Sequence, residues 1–170
     1  MIEVLPSATF ADVRVYVPDI FPDARGYFKE TFSRNKYAAA GMHDEWVQDS
    51  VSRSRRNVIR GMHVDRRMAK LVQALKGTIY DVIVDLRVGS ATFRRWEGFT
   101  LSEDNHHQLY VPAGFAHGFL AQSDEVIVMY KMSAHYDPAF EGGVRWNDPA
   151  IGIAWPLDGE PILSPKDAAL

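Results

Sequence analysis

Short segments of alternating or β-branched residues, separated by turn residues, run along almost the whole chain. The strongest, 78–86, reads Thr-Ile-Tyr-Asp-Val-Ile-Val-Asp-Leu and is typical of a strand. Further strands are predicted over 13–17, 46–52, 70–75, 93–101, 108–111, 118–122 and 125–132. Only one helix is predicted before the C-terminal region, over 36–40, with Ser33 as its N-cap and Gly41 at its end. Many short strands at regular spacing predict an all-β sandwich or barrel, for which a jelly roll is one solution.

Length and composition limit the classes of protein to which the chain can belong. With 170 residues, 46% of them hydrophobic, we expect a single domain over 1–170. The 19 basic and 22 acidic side chains give a net charge of -3, so we expect no nucleic-acid or membrane partner. Without cysteine there is no disulfide, thiolate metal site or cysteine nucleophile. We find no signal-peptide pattern and no run of about 18 apolar residues, and expect a cytoplasmic protein.

The segment Asn57-Val-Ile-Arg-Gly-Met-His63 places an arginine and a histidine beside a glycine, between apolar residues. Spacing alone gives equal weight to a polar turn with a surface histidine and to a catalytic histidine. Four arginines lie in or just before this segment: Arg53, Arg55, Arg56 and Arg60. Because alternate residues of a strand face opposite ways, we expect the first two to face solvent and the last two to face the other side. A solvated strand face is the default interpretation, and a diphosphate clamp is the functional one.

A second segment, Pro112-Ala-Gly-Phe-Ala-His-Gly-Phe119, leads His117 from a Pro-x-Gly turn into a strand. This is the pattern of the second cupin motif, in which the histidine often binds metal. A first motif would need His-x-His and a glutamate, whereas the chain offers His63 and Asp65 followed by basic residues. A metal ion needs several neutral or anionic ligands, and the basic residues oppose it. A metal-dependent cupin enzyme, such as a dioxygenase or sugar isomerase, therefore remains the alternative hypothesis.

Two further residues have plain structural interpretations when taken alone. Tyr130 lies in an apolar strand, where a core tyrosine is the default. Asp167 lies three residues from the end of the sequence, where a frayed acidic tail is the default. The sequence has no P-loop, no dinucleotide-binding glycine motif, no Gly-x-Ser-x-Gly and no His-Glu-x-x-His, so it favours none of those enzyme classes.

Taken together and in this order, these segments resemble the dTDP-4-dehydrorhamnose 3,5-epimerase family. The resemblance covers nearly the whole chain and rests on 21–28, 57–63, 70–72, 81–87, 90–93, 108–119, 145–156 and 163–167. It implies a cupin-type double-stranded β-helix, a jelly roll, with one or two short helices and no metal or other cofactor. It also implies a nucleotide-sugar substrate and a homodimer, in which N-terminal residues reach the active site of the neighbouring subunit.

The resemblance implies roles for individual residues. His63 resembles the base, with Asp167 as its partner. Tyr130 resembles the acid on the opposite face of the sugar, and Lys70 the group that steadies the enolate oxygen. The residues implied to bind the substrate are Arg25, Phe28, Glu30, Gln48, Arg60, His117, His135, Tyr136, Glu141 and Lys166. Inversion beside a ketone requires a base with a near-neutral pKa, a donor at the enolate oxygen and an acid that keeps its proton at pH 7.

The expected function is epimerisation of a nucleotide-linked 4-keto sugar at C3, C5 or both, in the synthesis of a surface polysaccharide. Three features depart from the family pattern. The loop from His63 to Lys70 is short, with Asp65 in place of a glutamine. Ser50 replaces an asparagine, and 135–136 holds His-Tyr instead of two tyrosines. A dTDP-4-keto-6-deoxyhexose is the expected substrate and a GDP-linked keto-heptose an alternative, while a ketoisomerase and a binding module without turnover are alternative functions.

Overall fold

The computed structural model describes residues 2–170, which form short strands joined by turns, with two short helices. The strands are β1 (Glu3–Pro6), β2 (Arg14–Val17), β3 (Ile20–Asp23), β4 (Gly26–Lys29), β5 (Gln48–Arg55), β6 (Ile59–Asp65), β7 (Lys70–Lys76), β8 (Thr78–Asp85), β9 (Trp96–Ser102), β10 (Gln108–Val111), β11 (Phe115–Ala121), β12 (Glu125–Met132) and β13 (Glu141–Gly143). The helices are α1 (Arg34–Ala39) and α2 (Pro165–Ala168). Within the described residues, neither helix has the length and apolar character that crossing a bilayer requires.

The strands form two large sheets and a separate hairpin. One sheet has six strands in the order β1-β2-β10-β7-β12-β5, the other has five in the order β13-β6-β11-β8-β9, and β3 pairs with β4. The pairings are antiparallel, and neighbours such as β6 and β11 come from distant parts of the chain. This crossed connectivity between two facing sheets is that of a jelly roll. The predicted all-β, cupin-type fold with one or two short helices is therefore confirmed.

The interior between the two large sheets is apolar at one end and polar at the other. Side chains from both sheets fill the apolar end, among them Phe10, Val13, Ile79, Ile83, Leu109 and Phe119. Alternation along β7 puts Lys70, Val72 and Ala74 on one face, where the first lines a cavity and the other two belong to the core. The neighbouring β12 repeats this change, with Tyr130 at the cavity and Val128 in the core. Each of these two strands therefore contributes side chains both to the apolar core and to the polar cavity.

The chain after β13 crosses the outer face of the five-stranded sheet and then returns to the polar end. Ile151 and Trp155 pack there against outward-facing side chains of β6, β8 and β11. The backbone of Ile162 then runs beside the start of β6, where its carbonyl accepts a hydrogen bond from the amide of Ile59 at 3.0 Å. This return places α2 next to β6 and so brings the C-terminal region to the cavity.

The predicted strands agree with the observed ones to within a few residues at each end. The segment that contains His63 is strand β6 and not a polar turn. Helix α1 lies where it was expected, and Ser33 occupies its N-cap position as predicted, although the Ser33 side chain makes no capping hydrogen bond. Strands β1, β3, β4, β6 and β13 were not predicted. Four of them have only three or four residues and show little alternation, and in the seven-residue β6 the glycine Gly61 favoured a turn.

One buried carboxylate holds the loop that follows β8. Asp85 is fully buried and accepts hydrogen bonds of 2.6 to 2.9 Å from the backbone and guanidinium of Arg87 and from the hydroxyls of Ser90 and Thr92. Burial alone would raise the pKa of Asp85, but these donors outweigh it and hold the pKa well below its usual range. The guanidinium of Arg87 also lies over the ring of Phe115, 4.3 Å from its centroid, so the loop is tied to the core.

Asp85→Ala is expected to lower the free energy of unfolding by about 2–4 kcal/mol, because the Arg87 amide, two hydroxyls and two of the three guanidinium nitrogens lose their acceptor. Urea unfolding followed by tryptophan fluorescence measures the change. Asp12→Ala is the matched control, because Asp12 pairs with the same Arg87 but its side chain is 46% exposed. We expect that control to lose less than about 1 kcal/mol. Equal losses in the two variants would contradict the role given to Asp85.

Candidate active site

A cavity of about 650 Å³ opens at the polar end of the interior. Its walls come from β6 and β11 of one sheet, from β5, β7 and β12 of the other, and from the segment that carries α2. It brings together the following predicted site residues: Gln48, Arg60, His63, Lys70, His117, Tyr130, Tyr136, Glu141, Lys166 and Asp167. Apolar side chains such as Ile59, Met68 and Phe119 line the remainder. The cavity therefore suits a ligand that has both polar groups and an apolar face.

His63 lies on β6 and is paired with a carboxylate from the C-terminal helix. Its Nε2 is 2.6 Å from Oδ1 of Asp167, whose side chain is only 5% exposed. Asp167 is held in place by α2, where its own amide donates a hydrogen bond to the hydroxyl of Ser164, the N-cap of the helix. The carboxylate fixes the orientation of the ring and leaves Nδ1 as the nitrogen available to a ligand. This is the geometry of a base with an orienting partner.

Tyr130 lies on β12, in the sheet that faces β6. Its hydroxyl is 2.9 Å from the hydroxyl of Ser52 on the neighbouring β5. Burial raises the pKa of Tyr130 well above its usual value, although the hydrogen bond with Ser52 opposes this rise. The phenol therefore keeps its proton at neutral pH and can act as an acid. His63 and Tyr130 thus line the cavity from opposite sheets.

Lys70, the first residue of β7, lines the cavity from the same sheet as Tyr130. Burial lowers the pKa of Lys70, and nearby carboxylates, led by that of Asp81, oppose this effect. A charged ammonium in such a poorly solvated place interacts strongly with an oxygen that gains negative charge. The cavity thus holds a candidate base, a candidate acid and a candidate oxyanion group.

Most of the chain matches one known protein family. Residues 7–170 match the sequence model of the family described as dTDP-4-dehydrorhamnose 3,5-epimerase. This chain belongs to that family. The dTDP-4-dehydrorhamnose 3,5-epimerase of Neisseria gonorrhoeae is 45% identical over 160 residues, which cover 93% of this chain and 49% of that protein. That of Methanothermobacter thermautotrophicus is 46% identical over 154 residues, which cover 88% of this chain and 83% of that protein. The chain thus spans about half the length of the first relative and most of the second.

A solved structure of a family member has a closely similar fold. It is the crystal structure of dTDP-6-deoxy-D-glucose-3,5-epimerase from Legionella pneumophila in complex with dTDP-4-keto-L-rhamnose. The TM-score is 0.95 at 39% sequence identity, and the match covers 99% of this chain and 91% of that chain. The similarity therefore extends over the sheets that form the cavity as well as over the core.

A second carboxylate lies near His63 in this member of the epimerase family. Oε1 of Glu141, on β13, is 3.8 Å from Nδ1 of His63. Its Oε2 accepts hydrogen bonds from the hydroxyl of Tyr136 at 2.9 Å and from the ammonium of Lys166. Burial raises the pKa of Glu141, but these two donors outweigh it and the pKa lies below its usual value. Gln48 joins the network by accepting a hydrogen bond from the Tyr136 amide at 3.0 Å, so these residues form one connected polar wall.

Of the four arginines in the basic run, only Arg60 lines the cavity. Its guanidinium donates hydrogen bonds to groups of β5, which hold it at the wall. Arg53 and Arg55 are exposed, as expected. The expectation that Arg56 faces the same side as Arg60 is wrong, because Arg56 lies in the turn between β5 and β6 and pairs with Asp124 at 2.9 Å. Strand alternation does not extend through that turn.

Four residues that the family resemblance implied for substrate binding do not line this cavity: Arg25, Phe28, Glu30 and His135. Arg25 and Phe28 lie on the β3–β4 hairpin and Glu30 directly follows it. Arg25 and Glu30 form surface ion pairs with neighbouring side chains, and Phe28 is 66% exposed. His135 is exposed as well. A binding role for these residues stays a prediction.

The side chains of the alternative metal site do not converge. Asp65 is bound by a neighbouring arginine through a hydrogen bond of 2.7 Å. The two histidines are hydrogen-bonded to separate carboxylates, His63 to Asp167 and His117 to Asp81. Among residues 2–170 no group of three or more His, Cys, Asp or Glu side chains is arranged to hold a metal ion. The geometry therefore gives no support to the metal-dependent alternative.

Sequence analysis did not single out two residues of the site, Asp81 and Ser52. Asp81 lies on the inner face of β8 between Ile79 and Ile83, where it is fully buried. Its position could have been found, because the alternation of β8 puts a carboxylate into an otherwise apolar row. Ser52 gives no such signal, since only the pairing of β5 with β12 brings it to Tyr130.

Ser164→Ala removes the N-cap hydroxyl of α2, and we expect local opening of 165–169 to increase about fivefold, because a cap contributes about 1 kcal/mol. Hydrogen-exchange mass spectrometry of the C-terminal peptide measures this opening. Ser164→Thr keeps a hydroxyl at the cap and should exchange like the unchanged protein. Unchanged exchange in Ser164→Ala would show that other contacts hold Asp167 in place.

Proposed function

We propose that this protein is a nucleotide-sugar 3,5-epimerase that acts on a dTDP-linked 4-keto-6-deoxyhexose. The observation that carries the proposal is the placement of His63 and Tyr130 on opposite sheets across one cavity. Inversion of a carbon needs a base on one side and an acid on the other, because the proton must leave from one face and return to the opposite face. The relatives described above are named for the same reaction.

The first half of the reaction removes a proton. A hydrogen on the carbon beside a ketone is acidic only because the resulting anion spreads onto the oxygen. Lys70 would donate to that oxygen, and His63, oriented by Asp167, would take the proton through Nδ1. General acid–base steps of this kind contribute about 10²–10⁴-fold each. The site thus supplies the groups that enolate formation requires.

The second half returns a proton from Tyr130. Burial keeps its hydroxyl protonated, and the hydrogen bond with Ser52 holds that hydroxyl in place at the sheet opposite to His63. After one inversion, His63 carries an additional proton and Tyr130 has lost one. Both must exchange with solvent before the next inversion, so the substrate carbon receives a proton that originates from water. Isotope exchange therefore reports directly on this chemistry.

The nucleotide end of the substrate would meet Arg60 and Lys166. Their cationic groups suit a diphosphate, and the half-exposed ring of Tyr136 offers a flat surface to a base. A GDP-linked keto-heptose is a second candidate substrate. The short loop between His63 and Lys70, with Asp65, supports this candidate, because it resembles family branches that act on other nucleotide sugars.

Incubation with dTDP-4-keto-6-deoxyglucose in D₂O is expected to introduce deuterium at C3 and C5, detected by NMR of the recovered sugar. His63→Ala should lower exchange at both carbons by about 10²–10⁴-fold, because the base is lost. Tyr130→Phe should retain exchange but slow inversion by about 10²-fold or more, because only the returning proton is lost.

The same experiment with a GDP-linked 4-keto sugar identifies the preferred nucleotide. Deuterium at only one of C3 and C5 would identify a single-centre epimerase. A product with its carbonyl at a different carbon would identify a ketoisomerase. If the protein binds 4-keto sugars but none of them takes up deuterium, it is a binding module without turnover, and the proposal is overturned.

We also propose that the protein is a homodimer in which the β3–β4 hairpin of one subunit reaches the cavity of the other. The hairpin belongs to neither large sheet and carries Phe21, Tyr27 and Phe28, which are 52%, 51% and 66% exposed. Exposed apolar clusters of this kind mark interaction surfaces. Transfer of Arg25 and Phe28 into a neighbouring cavity would give both residues the binding role that the family resemblance implies.

Mixing two inactive variants tests this arrangement. A hairpin variant, Arg25→Ala with Phe28→Ala, and His63→Ala should each have low activity alone. After subunit exchange, about a quarter of the sites should regain activity, because half of the dimers are mixed and one site in each combines two intact parts. Native mass spectrometry measures the mixed dimers. Mixed dimers without recovered activity would contradict hairpin exchange.

We further propose that the protein acts in the cytoplasm, in the synthesis of a sugar for a surface polysaccharide. The cysteine-free sequence fits a reducing compartment. A sugar activated by a nucleoside diphosphate is in the form from which glycosyl groups are transferred to a growing polysaccharide.

A further inference from the structure

A buried carboxylate lies behind His117 and has no part in the reaction proposed above. Asp81 is 0% exposed, and its Oδ2 is 2.9 Å from Nε2 of His117. Its Oδ1 is buried and has no hydrogen-bond partner among residues 2–170. On the same face of β8, Ile79 and Ile83 belong to the core. An aliphatic residue at position 81 would destabilise the inner face of β8 less, since a buried carboxylate lowers the stability of a fold unless both of its oxygens are hydrogen-bonded or ion-paired.

His117 and His63 form a pair of matching dyads. They are direct partners in the antiparallel pairing of β6 with β11, and each binds a carboxylate through Nε2. Asp81 accepts the hydrogen bond from His117, so Nδ1 of His117 is the ring nitrogen available to the cavity. The ring also lies edge-on to that of Tyr130, with centroids 6.3 Å apart. The orientation of His117 therefore depends on Asp81.

Asp81 also acts on Lys70 from the facing sheet. Burial lowers the pKa of Lys70, and among the charged groups around it Asp81 opposes this most strongly. Glu141 on β13 and Asp65 on β6 act in the same direction more weakly. Burial raises the pKa of Asp81 itself, and His117 and Lys70 oppose that rise. The carboxylate thus stabilises the positive charge of the ammonium.

We propose that Asp81 is a positioning residue, which turns Nδ1 of His117 toward the substrate and keeps Lys70 charged beside the substrate carbonyl. The proposal rests on the epimerase function, because the ketone oxygen is the group that both side chains would meet. Asp81 itself does not line the cavity and acts only through these two residues.

Asp81→Leu and Asp81→Asn separate the effect of Asp81 on the orientation of His117 from its effect on the charge of Lys70. The leucine fits the apolar row but removes both the charge and the acceptor, while the asparagine removes the charge and keeps an oxygen that can accept from Nε2. We expect kcat to fall about 10²-fold in Asp81→Leu with KM changed less than about threefold. In both variants, the loss of kcat at high pH should begin about one pH unit lower, because Lys70 loses its proton more easily.

Stability distinguishes a positioning role from a structural one. Asp81→Leu should unfold at the same temperature as the unchanged protein or at a higher one, because it replaces a buried charge by a residue that packs. Asp124→Asn is the matched surface control, since the Asp124 side chain is 93% exposed, and should alter neither kinetics nor stability. The proposal is overturned if kcat falls only together with the melting temperature and if the pH above which kcat is lost stays unchanged.

Two NMR measurements test the proposal without any substrate. Long-range ¹H–¹⁵N spectra should show the Nε2-protonated tautomer of His117 in the unchanged protein and a mixture of tautomers in Asp81→Leu. The ¹³Cε signal of Lys70 should titrate at lower pH in both variants. Unchanged spectra in Asp81→Leu would refute the positioning role whether or not the protein is an epimerase. Altered spectra in a protein that exchanges no deuterium would refute the epimerase function alone.

Discussion

The change from apolar to polar side chains along the inner faces of the strands is the constraint on which the site depends. Each of these strands crosses the interior, so one strand serves both the core and the cavity. In β7 the core residue Val72 is two positions from Lys70, and in β12 Val128 is two positions from Tyr130. A one-residue slip of either strand would turn both side chains away from the interior. Packing of the apolar end therefore fixes the reactive groups at the polar end.

Burial of polar groups at the polar end costs stability, and the charges there are arranged so that this cost would serve the proposed chemistry. Tyr130 is kept protonated by burial, while Lys70 is kept from losing its charge by the carboxylates around it. The Asp85 loop shows the opposite use of a buried carboxylate, because five donated hydrogen bonds satisfy it completely. Asp81 has an unpartnered oxygen, and this contrast is what points to a role beyond folding.

The sequence was sufficient for the fold class, for the identity of the proposed base, acid and oxyanion group, and for Asp167 as the partner of His63, but not for the partners of Tyr130 and His117. Regular alternation revealed the long strands except β6, and the ordered motifs revealed His63 and Tyr130. Contacts such as Ser52 with Tyr130 arise from strand pairing across 78 positions, which spacing cannot show. The same limit concealed the dyad of Asp81 with His117, although the alternation of β8 already marked the carboxylate as unusual. Strands of three or four residues, β13 among them, carry too little pattern to be found.

The reactive groups and the groups expected to recognise the substrate come from different kinds of element. His63, Lys70 and Tyr130 lie on long strands, whereas Glu141 and Tyr136 of the polar wall come from β13 and the loop before it. The short loop after His63 is joined to this wall, because Asp65 pairs in register with Glu141. The arginine bound to Asp65, Arg67, also stacks on Phe140 in the loop before β13, 3.6 Å from the ring centroid. A substitution in that loop is therefore expected to act on Glu141 more directly than on Lys70 or Tyr130.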